Sequence, residues 1–547
     1  MQDSSSSTSA SVHLEHELLA STARVTANTK YGTVRGRRSK NGCAVFLELD
    51  YALPPKRFED PVPLPHTFVY PSEYEFIKES RYGAQPDNDG QAVGVPLEDK
   101  LGLGVPTEHP LFLNLVCPPT VTLPRGESRE SPLKPVKVYI HGGFLQFGSP
   151  HGLTSQAQYV ANERDEIWVN VGYRLSAFGF LASEDPPISG NFGFKDQWLS
   201  LLWIRDNISS FGGDPDNIQL TGLSAGAHSC HQLLHFVSRL PPGESSPFQT
   251  VIMQSNAIAI DPKTPSELQA QFNALVQALH LDPSSPSILK TLQDPIETSW
   301  QSITTAIESL GEFGAFRGCT DGKWLPVGAM DWQASGDFGR SLKEKGVKSI
   351  VIGDLVDEWY LYSIADPVEK PSDVERFLRR YYQSNIVKKL VEVYKPLPNN
   401  SSPEECKRLY GDILSEGQVH IPVRILHRDL AASGLPVLRY EIRWSPPQLR
   451  PFGYVTHGQD RVLWALRLDK LDADQAVTAR RWLDAIDSEI RQLENEALGE
   501  VELRKTLVLG EDREIGWGED TKWDSMISLA GRVLDGEPRG LRKSSKD

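Results

Sequence analysis

Short apolar runs alternate along this chain with longer stretches whose apolar residues recur at helical spacing. "VKVYI" ends at Ile140, and "EIWVNVGYR", "NIQLTGL", "QTVIMQS", "SIVIGDLVDE" and "LRYEIRW" follow in order. Most are rich in β-branched residues and little broken by charge, as strands covered on both faces should be. Between them, "FKDQWLSLLWIRDNISSF" has apolar residues at helical spacing and stops at Gly212 and Gly213. A second helical pattern opens directly after Ser224. Strands that alternate with helices predict an α/β fold: a large, mostly parallel central sheet with helices on both faces. The interval from about Asp261 to Lys345 is mainly helical and reads as an insertion. The Ser-rich residues 1–23 and the last stretch, 536–547, read as disordered tails, which leaves 24–535 as one domain. "PPTVTLPRGESRESPLKP" reads as a solvated loop.

Composition narrows the partners. At 547 residues with 39% hydrophobic content, the chain can bury a sizeable core. A net charge of −15 argues against nucleic acid or an anionic membrane as a main partner, since both need a basic face. The first residues lack a basic n-region and an apolar run of signal-peptide length, and no segment reads as a bilayer span. The five cysteines are scattered and none forms a C-x-x-C pair, which suits a reducing compartment. The expectation is a cytoplasmic protein without membrane anchor, acting on a small molecule. The sequence leaves its oligomeric state open.

The chemistry sits at Gly222-Leu223-Ser224-Ala225-Gly226, a G-x-S-x-G between a predicted strand and a predicted helix. So sharp a turn lifts the serine oxygen clear of the sheet and aims the helix N-terminus at the same point. Bulky flanking residues would collide with neighbouring elements. A serine hydroxyl needs a base, and a tetrahedral intermediate needs donors for its oxyanion. "HGGF", from His141 to Phe144, follows a buried strand and offers such donors. His228, His231 and His235 share a face of the helix after Ser224; a metal site is one reading, and packed core histidines the favoured one.

The segment from "NVGYRLSAFGF" through "GNFGFKDQ", "FGGDPDNI" and "GLSAGAHS" resembles the type-B carboxylesterases of the α/β-hydrolase superfamily, the group that also contains the cholinesterases. "YGTVRG" resembles the family's N-terminal hairpin, "LDYALPP" its Pro-rich segment and "FRGCTDGKWLP" the stretch before its acid. The likeness runs from about Thr26 to Arg467. It implies an α/β-hydrolase fold with inserted helical lid segments, no cofactor and no metal. Ser224 is the implied nucleophile and His457 the base. Glu358 is the implied acid, with Asp354 and Asp357 as local rivals. The implied oxyanion donors are the N–H groups of Gly143, Phe144 and Ala225, although many relatives carry a third glycine at Phe144. Ser229 matches a family serine near the acid and is expected to orient it.

Departures from the family narrow the substrate. Cholinesterase-like members hold a cationic head group with an acidic residue before the nucleophile and a tryptophan in an N-terminal disulfide loop. Here Leu223 precedes Ser224, and the first tryptophan is Trp168. Gln85 and Pro110 stand about where the loop's cysteines belong. The expectation is a hydrolase for a neutral, moderately apolar carboxylic ester, working through an acyl-enzyme; Trp324 or Trp359 would have to build any cation site. The same triad would serve acyl transfer or ring closure in secondary metabolism, and a non-catalytic member of the fold is the remaining alternative.

Overall fold

The computed structural model describes residues 12–87, 95–124, 132–495 and 502–534. Strands β1 (Arg24–Thr29), β2 (Gly32–Arg38), β3 (Ala44–Asp50) and β4 (Phe112–Cys117) open the central sheet. Then come β5 (Lys134–Ile140), β6 (Ile167–Val171), β7 (Gly213–Leu223) and β8 (Thr250–Gln254). It closes with β9 (Ser349–Leu355), β10 (Val437–Ile442), β11 (Lys505–Leu509) and β12 (Ile515–Glu519). Their spatial order is β1-β2-β3-β4-β6-β5-β7-β8-β9-β10-β11-β12. Pairing is parallel from β6 through β11 and antiparallel at both edges. Every run read as a strand in the sequence is one.

Period-two burial explains why the central runs are apolar throughout. Val136, Val138 and Ile140 of β5 enter one core while Tyr139 enters the other. In β8, Val251 and Met253 face the first core and Ile252 the second; in β9, Ile350 and Ile352 oppose Val351. Helices α1 (Phe192–Asn207) and α2 (Ala225–Val237) cover the first face, and α5 (Ala473–Asn495) covers the second. With both faces dry, alternation of apolar and polar residues disappears.

Two helical insertions rise beyond the strand ends. The expected one lies between β8 and β9 and contains helices from Gln269–Ala278 to Asp337–Glu344. The other, between β9 and β10, includes α3 (Pro403–Ser415) and α4 (Ile421–Ala432). A π-helical turn, Glu416–His420, joins α3 to α4.

One expectation changes. The tail read as disordered lies partly outside the described residues, as does 536–547. From Val12 onward, however, the chain is ordered, and Leu14–Ala20 is a helix. Leu14 and Leu18 share one face and pack into the second core, and the His13 ring bonds Glu79 at 2.7 Å. All five cysteines are buried free thiols. Among the described residues no helix is long and apolar enough to cross a membrane.

Candidate active site

β7 ends at Leu223 and α2 begins at Ala225, so a single residue makes the turn. Ser224 sits at φ +58°, ψ −121°, a strained backbone for a side chain with a Cβ. Its neighbours hold it there: its N–H donates to the Gln254 carbonyl at 2.8 Å, and its carbonyl accepts from His228 N–H at 2.9 Å. The flanking glycines are steric requirements. A Cβ on Gly222 would stand 2.2 Å from the Gly226 backbone, and one on Gly226 would stand 2.0 Å from the Ile140 carbonyl oxygen.

The loop after β5 closes against this turn. A Cβ on Gly142 would touch the Ser224 Cβ at 3.0 Å. Gly143 (φ +110°) and Phe144 (φ +57°) are both in the left-handed region, which turns their peptides. The N–H groups of Gly143, Phe144 and Ala225 donate to no acceptor among the described residues. Phe144 adopts this conformation although it carries a Cβ, and aromatic contacts hold its ring. It meets Tyr362 edge-on at 6.0 Å and Tyr381 at 6.4 Å. Gln85 anchors the end of this loop: its Oε1 accepts from Gly148 N–H at 2.8 Å.

The structure brings His457 and Glu358 together, with Nδ1 and Oε2 2.5 Å apart. Glu358 is fully buried, and its other oxygen accepts from Leu355 N–H at 2.9 Å. The buried Nε2 of His457 has no partner among the described residues. A Cβ on Gly458 would stand 3.7 Å from the Leu223 Cδ2, so the histidine loop lies against the serine turn. The rival acids are otherwise engaged. Asp357 clamps the histidine loop by accepting from Val455 N–H and donating its own N–H to the Val455 carbonyl, both at 3.1 Å. Asp354 lies among Arg424, Arg439 and His420.

Ser229 does not bond Glu358. Its hydroxyl donates to the Ala225 carbonyl at 2.9 Å and accepts from Gln197 Nε2 at 3.1 Å, fixing the first turn of α2 to α1. The α2 histidines are packed. His231 Nδ1 accepts from Ile258 N–H and its Nε2 meets Gln333 Oε1, both at 2.9 Å, while burial pushes its pKa down to about 3. His235 stacks between His231 and Phe338. No group of metal-ligating side chains converges among the described residues. Trp324 stacks on Phe236 at 4.2 Å, and Arg408 covers Trp359 at 3.9 Å, so each indole has a protein partner on one face.

Sequence reasoning missed several residues around this centre. Tyr362 stands 5.2 Å from the His457 ring. Asp460, three positions after His457, is fully buried. Arg317 and Lys263 line a small open cavity that also reaches His228. The cavity is therefore not wholly apolar. A G-x-S-x-G motif announces itself by spacing; Tyr362, Arg317 and Lys263 come from inserted segments, where no spacing rule points inward, and Asp460 is one acid among many in a loop.

The sheet order, with a strained serine between a parallel strand and a buried helix, defines the α/β-hydrolase class. The solved structure of PNB esterase shares the fold, with a TM-score of 0.71 at 24% identity, covering 92% of this chain and 99% of that one. The chain belongs to the carboxylesterase family, whose model matches residues 23–467, and is a carboxylic ester hydrolase. It is 29% identical to an uncharacterized esterase/lipase of Schizosaccharomyces pombe over 536 residues, 92% of this chain and 94% of that one. A carboxylic ester hydrolase of Gibberella moniliformis is 30% identical over 423 residues, 73% of each chain.

Proposed function

We propose that the protein hydrolyses a small carboxylic ester by a serine mechanism. Ser224 Oγ attacks the ester carbonyl while His457 Nε2 takes its proton. The carbonyl oxygen becomes an oxyanion and is met by the N–H groups of Gly143, Phe144 and Ala225. Glu358 fixes the imidazole and stabilises its charged form. Collapse expels the alcohol, which leaves with the proton from His457, and Ser224 keeps the acyl group. Water then attacks the acyl-enzyme with the same base, and the acid departs.

The observation that carries this reading is the 2.5 Å pairing of His457 Nδ1 with Glu358, which leaves Nε2 buried and unpartnered beside the serine turn. The substrate is no quaternary ammonium ester. Leu223 supplies no charge, and one face each of Trp324 and Trp359 is already covered, the latter by a protein cation. Labelling with an uncharged fluorophosphonate tests the mechanism without knowledge of the substrate. Wild type should be labelled and Ser224→Ala should not; an unlabelled wild type would overturn the reading. A choline ester should gain nothing over a neutral ester of equal acyl chain, and a strong preference that persists at high salt would contradict the exclusion.

A further inference from the structure

Arg317 is a half-buried cation that the protein does not neutralise. Its guanidinium forms no ion pair with any described carboxylate. Its contacts are the Gln418 Oε1, to which Nη2 donates at 3.0 Å, and the ring of Tyr381, 5.2 Å below it. Both hold it in place. Gln418 is presented by the π-helical turn between α3 and α4, a local insertion of the kind frequent at functional sites. Its amide donates to Tyr382 Oη at 2.9 Å, which fixes the carbonyl oxygen toward Arg317.

The same segment is tied to the reacting centre. Phe316 N–H donates to Gln146 Oε1 at 3.1 Å, and the Gln146 amide donates back to the Phe316 carbonyl and, at 3.1 Å, to that of Phe144. One side chain thus locks the backbone beside Arg317 to the loop carrying the oxyanion donors. Tyr381, under the guanidinium, also meets Phe144. His228, one turn after Ser224, lines the same cavity with a buried Nε2 that has no partner.

The other charged side chains lining the cavity are Asp261, Lys263, Glu267, Glu312 and Arg380. Arg380 pairs with Asp366. Glu267 accepts from the Thr264 N–H and hydroxyl at 2.8 and 3.1 Å. Lys263 donates to the Arg379 carbonyl at 2.6 Å. Burial, partly offset by Glu267 and aggravated by Arg317, brings the Lys263 pKa down to about 8. Lys263 and Arg317 repel each other across the cavity, Glu267 and Glu312 offset this only in part, and an anion beside Arg317 would relieve the rest.

We propose that this cavity takes an ionised carboxylate on the substrate itself, so that the physiological ester carries a second acid group a few atoms from the scissile carbonyl, held by Arg317. This deepens the serine-esterase reading and rests on it. It also replaces the neutral ester expected from sequence with an anionic one. An arginine is suited to the task because its planar fork matches a carboxylate.

Two ester pairs test the proposal with the full chain. One compares mono-(4-nitrophenyl) glutarate with 4-nitrophenyl pentanoate, charging the acid side. The other compares 4-acetoxybenzoate with its methyl ester, charging the alcohol side. The quantity read is the ratio of kcat/KM, charged over neutral, so intrinsic reactivity cancels between variants. In at least one pair Arg317→Met should lower this ratio at least about tenfold, the order expected for one charge-assisted hydrogen bond. Arg317→Lys should retain more of the preference than Arg317→Met. Ratios that stay within about twofold in both pairs would overturn the proposal.

A binding measurement separates this outcome from failure of the esterase reading. Calorimetric titration of monomethyl glutarate into Ser224→Ala needs no turnover. Binding should weaken at least about tenfold when Arg317→Met is added; equal binding, or none in Ser224→Ala, would count against the carboxylate site. Fluorophosphonate labelling of wild type judges the serine mechanism independently.

Discussion

Asp354 and Glu358 leave the end of β9 as two buried carboxylates in opposite company. Asp354 accepts from Arg424 and Arg439, each at 2.8 Å, and meets His420 Nδ1 at 2.7 Å. Arg424 reaches on to Asp520 at 2.6 Å, so two aspartates and two arginines close a neutral cluster. Burial alone would raise the Asp354 pKa, but Arg439 and Arg424 outweigh it and hold the carboxyl well below its usual range. Glu358 has no arginine. Its described partners are one backbone N–H and His457. A carboxylate already neutralised by fixed cations has nothing left to stabilise. One whose partner is an imidazole has its charge matched only when that ring takes a proton, which is what a transition state requires. The contrast separates a carboxylate that staples β9, β10, α4 and the C-terminal segment together from one that, in the proposed mechanism, serves the reaction.

Removing the proton acceptor's counterpart breaks the reactive side most strongly. Ser224→Ala and His457→Ala should each lower kcat/KM for a 4-nitrophenyl ester by about 10⁴-fold or more, since they act as a unit. Thermal unfolding should stay near that of wild type. If either variant retains activity within tenfold, the roles assigned to this pair are wrong.

Glu358→Gln comes next, with a loss of roughly 10³–10⁴-fold in kcat, because an amide cannot stabilise imidazolium and favours the wrong tautomer. Asp357→Asn keeps an oxygen for Val455 N–H, so it should cost little activity. The contrast between the two carboxylates would fail if Asp354→Asn, corrected for the folded fraction, damaged turnover more than Glu358→Gln.

Asp354→Asn should instead strike stability. It leaves Arg424 and Arg439 buried with one carboxylate fewer, and breaking a buried ion pair typically costs about 3–5 kcal/mol. Denaturant titration should show that loss, while the surviving folded protein turns over a neutral ester normally. A midpoint unchanged from wild type would show the cluster to be dispensable.

This division was only half legible in the sequence. Ser224, with its flanking glycines, could be read because the turn's sterics leave no other residue types room. His457 and Glu358 came from order and resemblance, and geometry then separates Glu358 from Asp354. The arginines opposing Asp354 lie on α4 and β10, and Asp520 lies beyond β12, outside the residues matched by the family model. No local pattern links segments so distant. The strands β3, β4, β11 and β12 also escaped notice, because short apolar runs near loops carry little periodic signal. The Leu14–Ala20 helix was hidden by the serines before it, and Arg317 by a segment whose structure depends on Gln146, 170 residues away from Phe316 in the sequence. Ser229 misled in the other direction: its position suggested the acid, yet its hydroxyl bonds inside the first turn of α2.

Asp460 offers the smallest and most graded test of the comparison, because it is a third buried carboxylate with neither an arginine partner nor a histidine hydrogen bond. Its Oδ2 accepts from Trp464 Nε1–H at 2.9 Å, and its Oδ1 has no partner among the described residues. Burial, reinforced by the nearby charge of Glu358 and opposed by Trp464 and His457, raises its pKa to about 6. An unfolded aspartate titrates near ~3.9. Between those values the folded protein holds a proton that the unfolded chain has released, so the slope of unfolding free energy with pH is negative. Stability contributed at this site is therefore fully present below the lower value and lost as pH rises through about 6. Asp460→Asn imitates the protonated form at every pH. Relative to wild type it should gain on the order of 1–3 kcal/mol at pH 7, and the difference should vanish at low pH, in the region of 4. Thermal unfolding of both proteins across that range decides the matter. Parallel curves would mean that Asp460 is ionised in the folded state as readily as in the unfolded chain, and that a buried carboxylate here can do without either kind of partner.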